Sequence, residues 1–288
     1  MRIFNAAERV YTRIPRTFCR KAVRTIMQDR PTVWITGASS GIGAALARTW
    51  SQQGARLILS ARREEALQAV KSNCANPDQH TVIPLDLAYP DSLYAAVDAA
   101  TEAHDTIDVL INNGGISQRS RAQDTEVEVV RRIMEVNFFG AVTLTKALLP
   151  HFIKQGAGHI GVVSSVVGTF STPGRTAYAA SKHALHGYFD GLRAEVYDAG
   201  LRVTLICPGY VRTNVSRNAL TADGSRYGQM SDSIRNGIAP EACATAIIRA
   251  LKEERDEVYI GGIETYAVYL KRLSPALFNR IIRLVDTT

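Results

Sequence analysis

The sequence predicts an α/β fold, a single doubly wound parallel sheet of about seven strands with helices on both faces. Three observations predict it. From Pro31 onward, short β-rich runs alternate with amphipathic stretches. Most of those runs are continuously apolar rather than alternating, as strands covered on both faces are. The first run, Val33-Trp34-Ile35-Thr36, passes directly into a glycine-rich turn that opens a helical pattern. With 288 residues, 46% hydrophobic and 21% charged, the chain can bury a sizeable core.

In chain order, Thr32–Thr36 reads as the first strand and 42–53 as its helix. Ala55–Ser60 with 63–73, and Thr81–Leu85 with 91–103, repeat the unit. Ile107–Ile111 is followed by a long helical pattern at 126–154, then by His159–Ser164. The pattern at 177–199 leads to Leu201–Ile206, and that at 240–254 leads to Glu257–Gly261. This alternation implies right-handed crossovers. No internal repeat or low-complexity linker divides it, so residues 31–262 read as one domain.

Two ends stand outside that rhythm. Residues 1–30 place Ile3, Phe4, Ala7, Val10, Tyr11, Ile14 and Phe18 at helical spacing, interrupted at Pro15. Eight cations there face only Glu8 and Asp29, which accounts for +6 of the formal +7 of the chain. That density of arginine points this extension toward an anionic membrane surface. Residues 263–288 form a second amphipathic segment, with Tyr266, Leu270, Leu273, Leu277, Ile281 and Leu284 beside Lys271, Arg272, Arg280 and Arg283. Packing on the domain or on a partner explains it as well as a membrane does.

The remaining 258 residues are nearly neutral, which gives a nucleic-acid role little electrostatic support. Cys19, Cys74, Cys207 and Cys243 lie far apart and read as reduced, mostly buried thiols of a cytoplasmic protein. His183 and His186 share a helix face without a third ligand at a convincing spacing, so no metal is expected. No run of 18 apolar residues occurs, so no transmembrane helix is expected.

The turn after the first strand runs Thr36-Gly37-Ala38-Ser39-Ser40-Gly41-Ile42-Gly43. Glycines there admit a pyrophosphate close to the backbone, and the helix start offers free N–H groups and a positive dipole end. An ordinary tight strand-helix turn has the same look. The second strand ends Leu59-Ser60-Ala61-Arg62-Arg63, with cations where an acid would bind the ribose hydroxyls of NAD. Arg62 is therefore expected to grip the 2′-phosphate of NADP(H). As a solvated arginine at a helix start, the alternative, it would gain nothing from the dipole. Asp86, before Leu87, has two open readings, a bond to the adenine edge or a helix cap. Asn112-Asn113-Gly114-Gly115 is either a tight turn or a close approach to the cofactor ribose.

Downstream, Ser165, Tyr178 and Lys182 stand in the order Ser-x12-Tyr-x3-Lys. Tyr178 has an ordinary pKa near 10, and Lys182, one helical turn later on the same face, favours its phenolate. Together with the glycine turn, this order suggests carbonyl/alcohol redox chemistry with a nicotinamide cofactor. Taken singly, the residues read as a core-edge aromatic, a solvated lysine and a turn cap.

With these segments in place the chain resembles the short-chain dehydrogenase/reductase family from about Thr32 to Gly261. The matching residues are Thr36–Gly43, Asp86, Asn112–Gly115, Asn137 within Val136-Asn137-Phe138, Ser165, Tyr178, Lys182, and Pro208-Gly209 followed by Thr213. Glycine at 114 and 115, where the family usually carries alanine, is a mild departure. The segment Asn218–Gly228 is similar to the corresponding loop of the member 7B-like subgroup, whose members also carry basic or membrane-associating N-terminal extensions.

The resemblance implies a Rossmann-type sheet of seven strands and homodimers or homotetramers built on the long central helices. It implies that Gly37, Ser39, Ser40, Gly41, Ile42, Gly43, Arg62, Asp86, Leu87, Asn113, Gly114, Pro208, Gly209, Val211 and Thr213 hold the cofactor, with Tyr178 and Lys182 at its nicotinamide end. Tyr178 is then the acid/base, Ser165 holds the carbonyl oxygen, and Asn137 positions a water in a proton relay. Residues 214–238 read as a loop that gates the substrate. The expected activity is NADP-dependent hydride transfer with a lipophilic ketone or secondary alcohol, in a cytoplasmic protein peripheral on the inner face of a membrane. The alternatives are non-redox carbonyl chemistry on the same fold, or a cofactor-binding sensor or membrane scaffold without turnover.

Overall fold

The computed structural model describes residues 30–284, so the expectations for the basic N-terminal extension fall outside it apart from Arg30. The first half of the fold runs β1 (Thr32–Thr36), α1 (Gly41–Gln52), β2 (Arg56–Ser60), α2 (Glu64–Ser72), β3 (Thr81–Val82), α3 (Pro90–Ala103) and β4 (Val109–Asn112). Helices α4 (Val127–Met134) and α5 (Gly140–Gln155), strand β5 (Gly158–Val163), helix α6 (Thr176–Val196) and strand β6 (Leu201–Pro208) follow. A short α7 (Asp232–Arg235), α8 (Pro240–Lys252), β7 (Glu257–Ile260), α9 (Ala267–Leu273) and α10 (Pro275–Ile282) complete it.

All seven strands are parallel and ordered β3-β2-β1-β4-β5-β6-β7. The strand order reverses between β1 and β4, and a crevice opens there beyond the carboxyl ends of the strands. Both faces are covered, which is why the strands read as unbroken apolar runs. Val33 and Ile35 of β1 pack with Trp50 of α1, Leu67 of α2 and Ile247 of α8. Trp34, between them in sequence, points to the other face, among Leu93 of α3, Leu144 and Phe152 of α5, and Phe189 of α6.

Two predicted elements are corrected. The third strand, expected to reach Leu85, forms a regular ladder only over Thr81–Val82, because Pro84 has no N–H; Ile83 and Leu85 still donate to Leu59 and Ala61. The helix expected over 126–154 is interrupted by a π-helical turn at Glu135–Phe139. That turn carries Asn137. The stretch Val127–Gln155 is long and apolar enough by composition to cross a membrane, with hydropathy 1.2, yet Leu144, Leu148 and Phe152 bury one side of it on the sheet. The C-terminal amphipathic segment forms two helices, divided at Ser274-Pro275. It packs on the domain: Val268 and Phe278 close over Val166 and Phe170, with the two phenyl rings 5.3 Å apart at their centroids.

Candidate active site

The glycine-rich turn is locked to the end of β4 by hydrogen bonds that only the folded sheet can make. The Thr36 hydroxyl accepts from the N–H groups of Asn113 and Gly114, each at 3.0 Å, and donates to the Ile111 carbonyl. The Asn113 side chain donates to the Thr36 carbonyl at 2.8 Å. Gly37 has φ +65°, and a Cβ there would lie 2.7 Å from the Gly114 Cα. Gly43 serves packing instead of the cavity wall: a Cβ on it would run into the Gly37 carbonyl and the Asn113 amide. Helix α1 opens with neither a side-chain cap nor an acid in its first turn, which leaves its N-terminus to a ligand.

A cavity of about 770 Å³ runs from this turn to the N-terminal end of α6. Gly37, Ser39, Ser40, Gly41 and Ile42 form one wall, with Arg62 beyond the end of β2 and Asp86, Leu87, Asn113 and Gly114 across from them. Arg62 is exposed, and no acid stands at the end of β2. One Asp86 oxygen accepts from the Ala88 N–H at 3.0 Å, a local turn ahead of α3, while the residue also lines the cavity. Pro208, Gly209, Val211 and Thr213 form the wall past β6. The Glu264 carboxylate holds that loop by accepting from the N–H groups of Tyr210 at 2.9 Å and Gly262 at 3.1 Å.

Ser165, at the end of β5, and Tyr178 and Lys182, one turn apart on α6, all face the same cavity. The Lys182 ammonium lies 5.7 Å from the Tyr178 ring centroid and donates to the Val163 carbonyl at 2.8 Å. Burial lowers its pKa to about 8. Burial raises the Tyr178 pKa, opposed by the Arg175 cation and by the Ser165 hydroxyl. The sequence pointed to Lys182 as the cation favouring the phenolate. In the folded protein a second cation, Arg175, sits 5.8 Å from the same ring and also opposes the rise.

Asn137 is buried and does not line the cavity. Its side chain donates to the Ile116 carbonyl at 2.9 Å and to the Ser181 hydroxyl at 3.0 Å, and accepts from the Ile116 N–H at 2.8 Å. It ties the loop after β4 to α6, and only one lone pair of its oxygen is left over for a water.

Behind Lys182, His186, Cys207 and Glu257 each bring one possible ligand atom within 4.8 Å of the others. Their bonds are those of a proton-bearing network. His186 Nε2 meets the Ser164 hydroxyl at 3.0 Å, and that hydroxyl donates to the Lys182 carbonyl. Burial and Glu257 push the Cys207 thiol well above its usual range, so it keeps its proton and faces the Glu257 carboxylate. Among the described residues Cys74, Cys207 and Cys243 are buried free thiols; Cys19 lies outside them.

Three residues that the sequence did not single out sit at the Tyr178 end of the cleft. Gln118, fully buried, accepts the N–H groups of Ala177 and Tyr178 at 2.8 and 3.3 Å and so seats the first turn of α6. Arg119 and Arg175 line the cavity beside Tyr178. No spacing signal links 117–119 to 175–178; tertiary contact alone joins them. The segment 214–238 is docked through Leu220, which bonds both Ser117 and Arg119 through backbone.

The family model for short chain dehydrogenases matches residues 31–224. Dehydrogenase/reductase SDR family member 7B of Bos taurus is 45% identical over 258 residues, which cover 87% of this chain and 79% of that protein. A short-chain dehydrogenase from Streptomyces avermitilis superposes with a TM-score of 0.76 at 28% identity, covering 89% of this chain and 99% of that one. A short chain dehydrogenase from Burkholderia cenocepacia, solved in complex with NADP, superposes with a TM-score of 0.74 at 25% identity and covers 90% of this chain and 100% of its own.

Proposed function

The chain belongs to the short-chain dehydrogenase/reductase family, and from that premise we propose that it is an NADP(H)-dependent oxidoreductase acting on a ketone or secondary alcohol. One observation carries the reading: Ser165, Tyr178 and Lys182 face a single cavity whose other end is a glycine-built turn at an uncapped helix N-terminus. The turn and the start of α1 suit a pyrophosphate, and Arg62, free of any competing acid at the end of β2, suits a 2′-phosphate. Asn113, Gly114 and the Pro208–Thr213 loop would hold the remainder. When bound, the nicotinamide exchanges a hydride with the substrate carbon.

In the reductive direction Tyr178 gives its proton to the carbonyl oxygen. Ser165 donates a hydrogen bond to that oxygen as charge gathers on it. Arg175 and the Ser165 hydroxyl oppose the rise that burial imposes on the Tyr178 pKa, Lys182 stands beside the same ring, and Asn137, bonded to Ile116 and Ser181, would position a water in a proton relay. The apolar walls Ile116, Val166, Val167, Phe170 and Leu220 support a carbonyl with a lipophilic portion. The family resemblance supports a homodimer or homotetramer.

Replacing Tyr178 with Phe removes the proton donor and keeps the ring. Turnover of NADPH with a panel of ketones should fall by roughly 10²–10⁴-fold while NADPH affinity is retained; sustained turnover in Tyr178→Phe would assign the proton elsewhere. For the arginine-rich residues 1–30 the reading is peripheral attachment to anionic membrane. Full-length protein should sediment with anionic but not neutral vesicles and be released by salt, and a chain starting at Gln28 should stay in the supernatant. Equal behaviour of the two chains would remove that role.

A further inference from the structure

We propose that Arg119 and Arg175 form an oxyanion subsite, so that the carbonyl substrate carries an acidic group, a carboxylate or a phosphate, a short way from its reacting carbon. The inference rests on the oxidoreductase reading above and specifies its substrate. Both guanidiniums line the cavity on the side of Tyr178. Arg119 Nη2 donates to the Ser231 hydroxyl at 2.8 Å, and Arg175 Nη1 donates to the Ser117 hydroxyl at 2.9 Å. Each guanidinium has five N–H donors, and on both residues the buried Nε has no partner. Aromatic rings complete the surroundings: Tyr227 lies 5.9 Å from the Arg119 guanidinium and Tyr178 5.8 Å from that of Arg175.

No acid among the described residues appears in either environment. The groups that act on Arg119 are Arg175, Tyr227 and Tyr210, and those that act on Arg175 are Tyr178, Tyr210 and Tyr227. Burial and the neighbouring cation bring the Arg119 pKa down to about 10, which still leaves it charged. Two like charges partly shielded from water without a counter-ion oppose folding, and hydroxyls and ring faces compensate them only in part. An incoming oxyanion with two or three acceptor oxygens completes both at once. The phosphate-bearing end of the cofactor does not compete, because the glycine-rich turn and Arg62 suit it at the other end of the cavity. Gln118, between Ser117 and Arg119 in sequence, binds the first turn of α6 and so fixes the subsite relative to Tyr178.

The test uses full-length enzyme with NADPH and three matched ketones: 5-hydroxypentan-2-one, its phosphate monoester, and 4-oxopentanoate. At least one acidic ketone should exceed the neutral one in kcat/KM by about tenfold or more, and which one does so distinguishes phosphate from carboxylate. Arg119→Gln and Arg175→Gln should each reduce that acidic-to-neutral ratio about tenfold, chiefly through KM, and Arg119→Lys should restore part of it. Binding of inorganic phosphate and of acetate to the NADP⁺-loaded protein, by calorimetry, gives a readout that needs no turnover. Saturable binding of either anion, lost in both Gln variants, supports the subsite even if none of the three ketones is reduced. Overturning results are equal kcat/KM for all three ketones, an unchanged ratio in both variants, or, where no ketone turns over, no anion binding by the wild-type protein.

Discussion

The two ends of the cleft are built from different material. At the end formed by β1, α1 and β4, the wall is main chain: glycines at 37, 41 and 114, an open helix start, and an asparagine and a threonine bonded to backbone. Around Tyr178 the wall is side chains drawn from distant segments, among them Arg119, Arg175 and the loop carrying Leu220, with Gln118 buried behind them. The first construction is rigid and suits a group common to many enzymes. The second can change one residue at a time without disturbing the sheet, which is where specificity can vary on a shared fold.

The largest effect is expected at the rigid end. A methyl at Gly43 meets two backbone-held groups that cannot retreat. Gly43→Ala should cost about 3 kcal/mol, lower the melting temperature by roughly 6–12 °C and weaken NADPH binding, all measurable by calorimetry. A stable variant with unimpaired NADPH binding would show that the main-chain wall is softer than its contacts imply.

Arg62→Ala should lower NADPH affinity by roughly ten- to hundredfold and leave NADH affinity nearly unchanged. Fluorescence titration of the two cofactors reads this directly. Equal losses for both would mean that the arginine supports the turn instead of selecting a phosphate.

At the side-chain end, Gln118→Ala removes the acceptor for two N–H groups beside Tyr178. It should reduce kcat by about tenfold with little change in NADPH affinity. Combining it with Arg62→Ala sharpens the contrast, since the two losses should add to within about 0.5 kcal/mol if the ends act independently. A larger coupling energy would mean that the cleft behaves as one cooperative body.

The alternation of strands and helices was legible because each element leaves its own period in the sequence, and a strand buried on both faces leaves an apolar run. Positions were less legible than elements. Pro84 shortened β3, and the turn at Glu135–Phe139 cannot be told from ordinary helix by composition. In the cleft, the glycine-rich turn and the Tyr178–Lys182 pair are local patterns, so reading along the chain finds them.

What the chain alone determined is therefore what neighbouring residues decide among themselves: periodicity, turn chemistry, and the one-turn spacing of Tyr178 and Lys182. The tertiary structure decided which distant groups meet. Arg175 lies 58 residues from Ser117 and Arg119 lies 112 residues from Ser231. Their hydrogen bonds and their half-buried, unneutralised charge come from the sheet order, which brings the ends of β4, β5 and β6 to one crevice. Burial then alters the chemistry of the residues gathered there, lowering the Lys182 pKa and raising that of Tyr178 against the pull of Arg175. Desolvation and long-range Coulomb interaction depend on position in space, and nothing in the local order of residues encodes them.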